Sequence, residues 1–146
     1  LEIVERTSHY SPPGYVPLGQ DATVADDQLD FKFTNTSQHN LYISSKIEGN
    51  CLTVQLFGRA ADPVEVRIVP VDKQVIPAPL VVKSDAALEA GRQIVEERGE
   101  SGYRIKIEKI RLRQGVEISR EIISSDDFPP SERIIRRGTK PVETNN

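Results

Sequence analysis

The chain has 146 residues, 37% of them hydrophobic and 5% aromatic, with no Trp or Met and a formal net charge of -3, so the large side chains that fill a deep core are scarce. One Cys excludes an internal disulfide framework, two His far apart from each other offer no zinc spacing with it, and no apolar run is long enough to span a bilayer. The charge is uneven: residues 1–64 hold 4 Lys/Arg against 8 Asp/Glu, whereas residues 91–140 hold 12 against 9.

In chain order, "LEIVER" alternates weakly and runs into the Pro-Gly cluster "SPPG", a loop or turn. In "DATVADDQLDFKFTN" the Asp-Asp pair is turn-like, and Leu29, Phe31 and Phe33 fall on one face at period two. "LYISSKI" and "LTVQLFG" read as a β-hairpin bent at Gly49-Asn50, with Asn35-Thr36-Ser37 in a polar connection before it. Cys51, at the start of the second of these strands, is expected to be a small buried hydrophobe. "RAADP" breaks the pattern and places a boundary near Ala60 to Pro63.

The next β run is punctuated by Pro70, Pro77 and Pro79, which belong on edges or in extended connections because proline cannot donate to a ladder. "SDAALEAGRQIVEERG" is ambiguous. Ser84 or Asp85 could cap a helix with Leu88, Ile94 and Val95 as its stripe, yet Gly91 opposes the helix and "RQIVEERG" also works as a strand. In "GYRIKIEKIRLR" Tyr103, Ile105 and Ile107 alternate with charged residues, and after a slip at Lys109 the alternation resumes at Ile110 and Leu112, as at a β-bulge. "RQG" turns the chain so that Val116 and Ile118 return as the partner strand; a Pro-Pro bend, a last strand at "RIIRRG" and a disordered tail, 141–146, complete the reading. The apolar set is mostly Ile and Val, which suit a pleated surface. The fold class expected is all-β: a small antiparallel meander over 1–60, then an elongated, thin antiparallel sheet domain over 61–140 with little hydrophobic core.

Gly91, Gly99, Gly102, Gly115 and Gly138 punctuate "LEAG", "ERGESGYR", "RQGVEISREIIS" and "IIRRGTK". This pattern resembles the G-five domain of bacterial cell-envelope proteins over Val64 to Lys140. The resemblance implies long single-layer sheets and strand for most of Gly91 to Arg98, with glycine needed where a turn demands φ > 0 or a backbone approaches closely. Residues 1–58, through "SHYSPPGYVPLGQDATV", "LDFKFTN" and "LYISSKIEGNCLTVQLFG", resemble the C-terminal portion of the VanW family of bacterial surface proteins, named from a vancomycin-resistance cluster. That family carries a Gly-rich Cys segment ahead of this region, so the resemblance implies a thiol site in which His9 is general base and Asp21 orients it, with the nucleophile upstream of Leu1. The bland alternative is that His9 holds the "SPPG" loop and Asp21 bonds turn amides. His39 reads as an exposed loop residue, and Cys51 lies outside the matched motif.

Three functions compete. The leading one is an extracellular cell-envelope module that binds peptidoglycan or its N-acetylglucosamine, or acts as a spacer; Tyr103 is the ring available as a sugar platform, or else a cross-strand packing residue. The second is a fragment of a cysteine-dependent enzyme acting on peptidoglycan, inert as this piece. The third is weak self-association through sheet edges. Residues 64–140 contain no His or Cys, so no zinc or other metal and no cofactor is expected. The basic second half could meet an anionic wall glycan or a nucleic acid, but its acids are interleaved and no aromatic stacking set accompanies them, so nucleic acid is set aside and a solvated face remains the alternative.

Overall fold

The computed structural model describes residues 1–26, 28–59 and 64–142. Among them there is no helix. The strands are β1 (Glu2–Glu5), β2 (Lys32–Thr34), β3 (Tyr42–Glu48), β4 (Cys51–Phe57), β5 (Val64–Ile76), β6 (Leu80–Glu89), β7 (Gln93–Glu97), β8 (Gly102–Arg113), β9 (Val116–Phe128) and β10 (Arg133–Lys140). They pair as β1-β2, β3-β4, β5-β8-β9 and β6-β10-β7. The boundary expected at Ala60–Pro63 and residues 143–146 of the tail lie outside the described residues, as does Asp27 of the Asp-Asp turn.

Two compact units form. One comprises Leu1–Ser8, Ala22–Ile68 and Lys109–Glu121, the other His9–Asp21, Val69–Glu108 and Ile122–Asn146. In the first, β1 and β2 pair antiparallel with Ile3 opposite Phe33, and β3 and β4 form an unbroken hairpin from Tyr42↔Phe57 to Glu48↔Cys51. Gly49 has a φ of 59° and Asn50 does not have a positive φ, the sign pattern of a type II′ turn that matches strand twist. No residue of β4 is buried. Cys51 is therefore exposed, correcting the expectation that it is a buried hydrophobe: at the turn end of a two-stranded ribbon there is no layer to enclose it. The bend between β8 and β9 has φ of 51° at Gln114 and 79° at Gly115, both positive as a type I′ turn requires.

In the second unit the core is the cluster of Ile105, Ile107 and Phe128, with Leu18, Tyr103 and Ile123 packed against it. The phase slip read at Lys109 is visible in burial: Ile105 and Ile107 are buried, Glu108 and Lys109 half-buried, and Ile110 and Leu112 buried again. The segment left open between helix and strand is strand, in β6 and β7. Strand β10 sits between them, antiparallel to β7 and parallel to β6, with Ile135 opposite Val95 on one side and Val82 on the other. The parallel pair joins distant stretches and has no local signal. Pro70 lies in the edge strand β5, and Pro77 and Pro79 lie in the connection to β6.

Among the five family glycines, Gly91, Gly99 and Gly115 have positive φ, whereas Gly102 and Gly138 do not. Gly138 is needed for a different reason: where the β6–β10 register shifts, a Cβ on it would run into the carbonyl oxygen of Glu89 and stand 2.7 Å from that of Leu88. We expect Gly138→Ala to lower the urea midpoint by an amount equivalent to about 1–3 kcal/mol or more, since rigid backbone must move aside. Gly115→Ala meets open space and only the positive φ, costing about 1–2 kcal/mol. Equal midpoints for Gly138→Ala and wild type would overturn the packing argument.

An ion pair links the same strands. Asp85 Oδ1 accepts from the Ala87 amide at 2.8 Å, and Asp85 Oδ2 accepts from Arg136 Nε at 2.7 Å and from Nη2 of the same guanidinium. The Ala87 amide first, then Arg136, hold the Asp85 carboxyl below the usual carboxylate range. A depressed folded-state value contributes stability that is complete above the ordinary carboxylate range and lost as pH falls through the depressed value. Asp85→Asn should therefore melt below wild type at neutral pH, with the gap shrinking as the solution becomes strongly acid. Parallel pH curves for the two proteins would refute this.

Candidate functional site

The loop from His9 to Asp21 is anchored near its C-terminal end. Leu18 packs on the Ile105–Ile107–Phe128 cluster, and Gly19, at a φ of 79°, lies so close that an added Cβ would stand 3.0 Å from the Ile107 side chain. Gln20 N–H donates to the Pro17 carbonyl at 3.1 Å, closing a turn just before Asp21. Gly19 was not singled out in the sequence; its signal was the "PLGQ" turn chemistry ahead of an acid.

That anchoring brings the two expected partners together. Asp21 Oδ2 accepts from the His9 amide at 2.7 Å and lies 2.8 Å from His9 Nδ1. The Asp21 side chain is fully buried and that of His9 is 31% exposed. A buried carboxylate is tolerated only with strong donors, and here two come from one residue. An ionised carboxylate only accepts, so the proton lies on Nδ1 and, in the neutral ring, Nε2 carries the lone pair. Nε2 is 3.5 Å from the Tyr15 hydroxyl, whose ring meets His9 edge-on with centroids 6.2 Å apart. Chemically this is an oriented imidazole with its basic nitrogen at the open side, the arrangement that lets a base take a proton from a nucleophile.

The other candidates are placed differently. Tyr103 is half-buried against the core cluster, and the Lys73 ammonium stands 5.1 Å over its ring. His39 is exposed, and its carbonyl accepts from Asn35 and Ser37, as expected of a polar connection. Cys51 belongs to the first unit and His9 to the second. Among the described residues no group of three or more His, Cys, Asp or Glu is arranged to hold a metal.

Two clefts were not foreseen. In the second unit a cavity of about 290 Å³ is lined by Asp72, Gln74, Arg104, Lys106, Asp126 and Asp127 among others. Its charges are matched across the strands, Lys106 to Asp72 at 2.9 Å and Arg104 to Asp127 at 2.9 Å. Asp72 sits in mid-strand at a φ of 51°, a left-handed conformation that Asp tolerates better than most and that clusters at functional sites. In the first unit a cleft of about 500 Å³ carries Glu5, Asp26 and Asp30 around Lys32, which pairs with Glu5 at 2.7 Å. The smaller has no sequence signature because it gathers residues from three strands, β5, β8 and β9, whereas the larger is built almost wholly from the stretch 24–32, with Glu5 added from β1.

Strands without helices, a thin apolar centre and a short loop-borne histidine site define a class of β-sheet module in two parts. Residues 1–57 match the family described as VanW like protein, and residues 69–140 match the family described as G5 domain. The uncharacterized protein YoaR of Bacillus subtilis (strain 168) is 34% identical over 70 residues, 48% of this chain and 23% of that protein. The chain thus spans less than a quarter of that relative's length. Among solved structures, an IgA1 protease G5 domain is 28% identical over 53% of this chain and 90% of its own, at a TM-score of 0.42. The G5 domain of HP0197 is 17% identical, covering 53% of this chain and 100% of its own, at 0.34. The two families in this order fit a cell-envelope module. No helix among the described residues is long and apolar enough to cross a membrane.

Proposed function

We propose that this chain is an extracellular wall-contacting module of the bacterial envelope, with residues 1–60 and 61–140 as its two parts, that binds peptidoglycan through its N-acetylglucosamine-bearing glycan. The observation that carries this reading is the polar cavity of the G5 part. Asp72, Gln74, Arg104, Lys106 and Asp127 offer donors and acceptors side by side on rigid strands, which suits sugar hydroxyls that both give and accept hydrogen bonds. Tyr103 does not present a bare ring, because it packs against the core cluster and the Lys73 ammonium lies over it. The edge strands of β6-β10-β7 leave backbone groups free for weak self-association.

Retention on insoluble peptidoglycan tests this. Gln74→Ala with Asp127→Ala should weaken retention about tenfold or more, the loss of two or three hydrogen bonds to ligand, while Tyr103→Ala should chiefly lower the melting temperature. No retention of the wild-type chain, or equal retention by the cavity variant, refutes the reading.

A second reading is favoured by the 2.8 Å His9–Asp21 contact. In it the VanW-like segment supplies base and orienting acid to a cysteine carried elsewhere in a longer polypeptide, and the complete site acts on peptidoglycan peptides. A longer polypeptide that includes that cysteine should react with a thiol-directed reagent at least about tenfold more slowly after His9→Ala, the scale of losing a general base. Labelling indifferent to His9 would count against it.

A further inference from the structure

Strand β10 alternates its side chains between two unlike faces. On one, Ile134 is buried and Arg136 is tied to Asp85, while Lys83 pairs with Glu96 at 3.1 Å. On the other lie Arg133, Ile135 and Arg137. Register places the exposed Leu80 beside Arg133, the exposed Val82 and Val95 on either side of Ile135, and the exposed Ser84 and Gln93 on either side of Arg137. Among the described residues neither Arg133 nor Arg137 has a side-chain ion pair, and no acid shares their rows. The chain as a whole is net negative, yet this face presents two uncompensated guanidiniums about 13 Å apart at strand rise, with an aliphatic row between them.

We propose that this face of β6-β10-β7 docks a phosphodiester-linked wall glycopolymer. The inference rests on the wall-contacting reading above but uses a different surface and a different ligand chemistry. Charge complementarity selects an anionic chain: two arginines with no carboxylate opposite them in register attract oxyanions and repel cations. The row Ser84–Arg137–Gln93 selects phosphate. It brings a hydroxyl, a planar fork of N–H donors and an amide to one place across three strands, donors set at different angles that suit the tetrahedral oxygens of a phosphodiester, two sharing the charge and two in ester links, better than the two coplanar oxygens of a carboxylate. The Val82–Ile135–Val95 row gives the CH-rich polyol or sugar between successive phosphates a dry surface to cover.

The test uses the full chain and three probes: a purified glycerol-phosphate polymer, a uronic acid polymer of matched length, and vesicles of anionic phospholipid. Wild type should bind the glycerol-phosphate polymer more tightly than the other two and lose affinity as salt rises. Arg133→Ala with Arg137→Ala should weaken that binding about tenfold or more, at an unchanged melting temperature. Arg137→Lys should recover only part, because an ammonium lacks the fork. The proposal is overturned if the double variant binds the polymer within twofold of wild type, or if the uronic acid polymer or the vesicles are preferred. Peptidoglycan stripped of phosphodiester polymer separates this failure from that of the wall reading: the arginine variant should be retained on it like wild type, since that retention depends on the cavity of the other sheet.

Discussion

The β8–β9 pair and the His9–Asp21 loop lean on the buried side of β8. Ile105 and Ile107 point the same way from alternate positions, Phe128 closes over them from β9, and nothing larger is fully enclosed. A cluster this small stabilises only what touches it directly, about 2–3 kcal/mol per buried side chain. What touches it includes Leu18 and the bare backbone of Gly19, so a loop that is far away in sequence is fixed by the same three residues that hold the strands. The His9–Asp21 pair depends on that docking: without it the carboxylate would be in water and the imidazole would have no fixed tautomer.

A thin centre moves the burden of specifying the fold onto the backbone. Register has to be set by turns, by close approach and by cross-strand pairs when few apolar volumes interlock. The Gln114–Gly115 bend fixes one hairpin, Gly49–Asn50 another, and the contact of Gly138 with the Glu89 carbonyl fixes where the β6–β10 ladder shifts. The Asp85–Arg136 pair locks the same two strands from one face.

The legible parts were local. Both hairpins follow from turn residues between alternating runs, and the slip at Lys109 is visible because a phase change in Ile spacing can be read without coordinates. The parallel pairing of β6 with β10 was hidden, since its partners lie about fifty positions apart and each also reads as an ordinary strand. Cys51 was misjudged because small apolar residues at strand starts are usually enclosed, an inference that fails when the ribbon has one layer. His9 and Asp21 came from family resemblance; their spacing alone, across a Pro-Gly loop, would not have linked them. The polar cavity escaped because Asp72, Arg104 and Asp127 meet only after three strands assemble.

Alternation along β10 separates two kinds of work that the sequence "RIIRRG" mixes. The inward residues spend their charge internally, Arg136 on Asp85, and so add to the stability of the sheet. The outward ones, Arg133 and Arg137, are exposed and have no ion pair among the described residues, so their charge stays in water and open to an anionic ligand. A strand is well suited to this division, because one substitution at an even position tests folding and one at an odd position tests binding, with about 3.3 Å of chain between them.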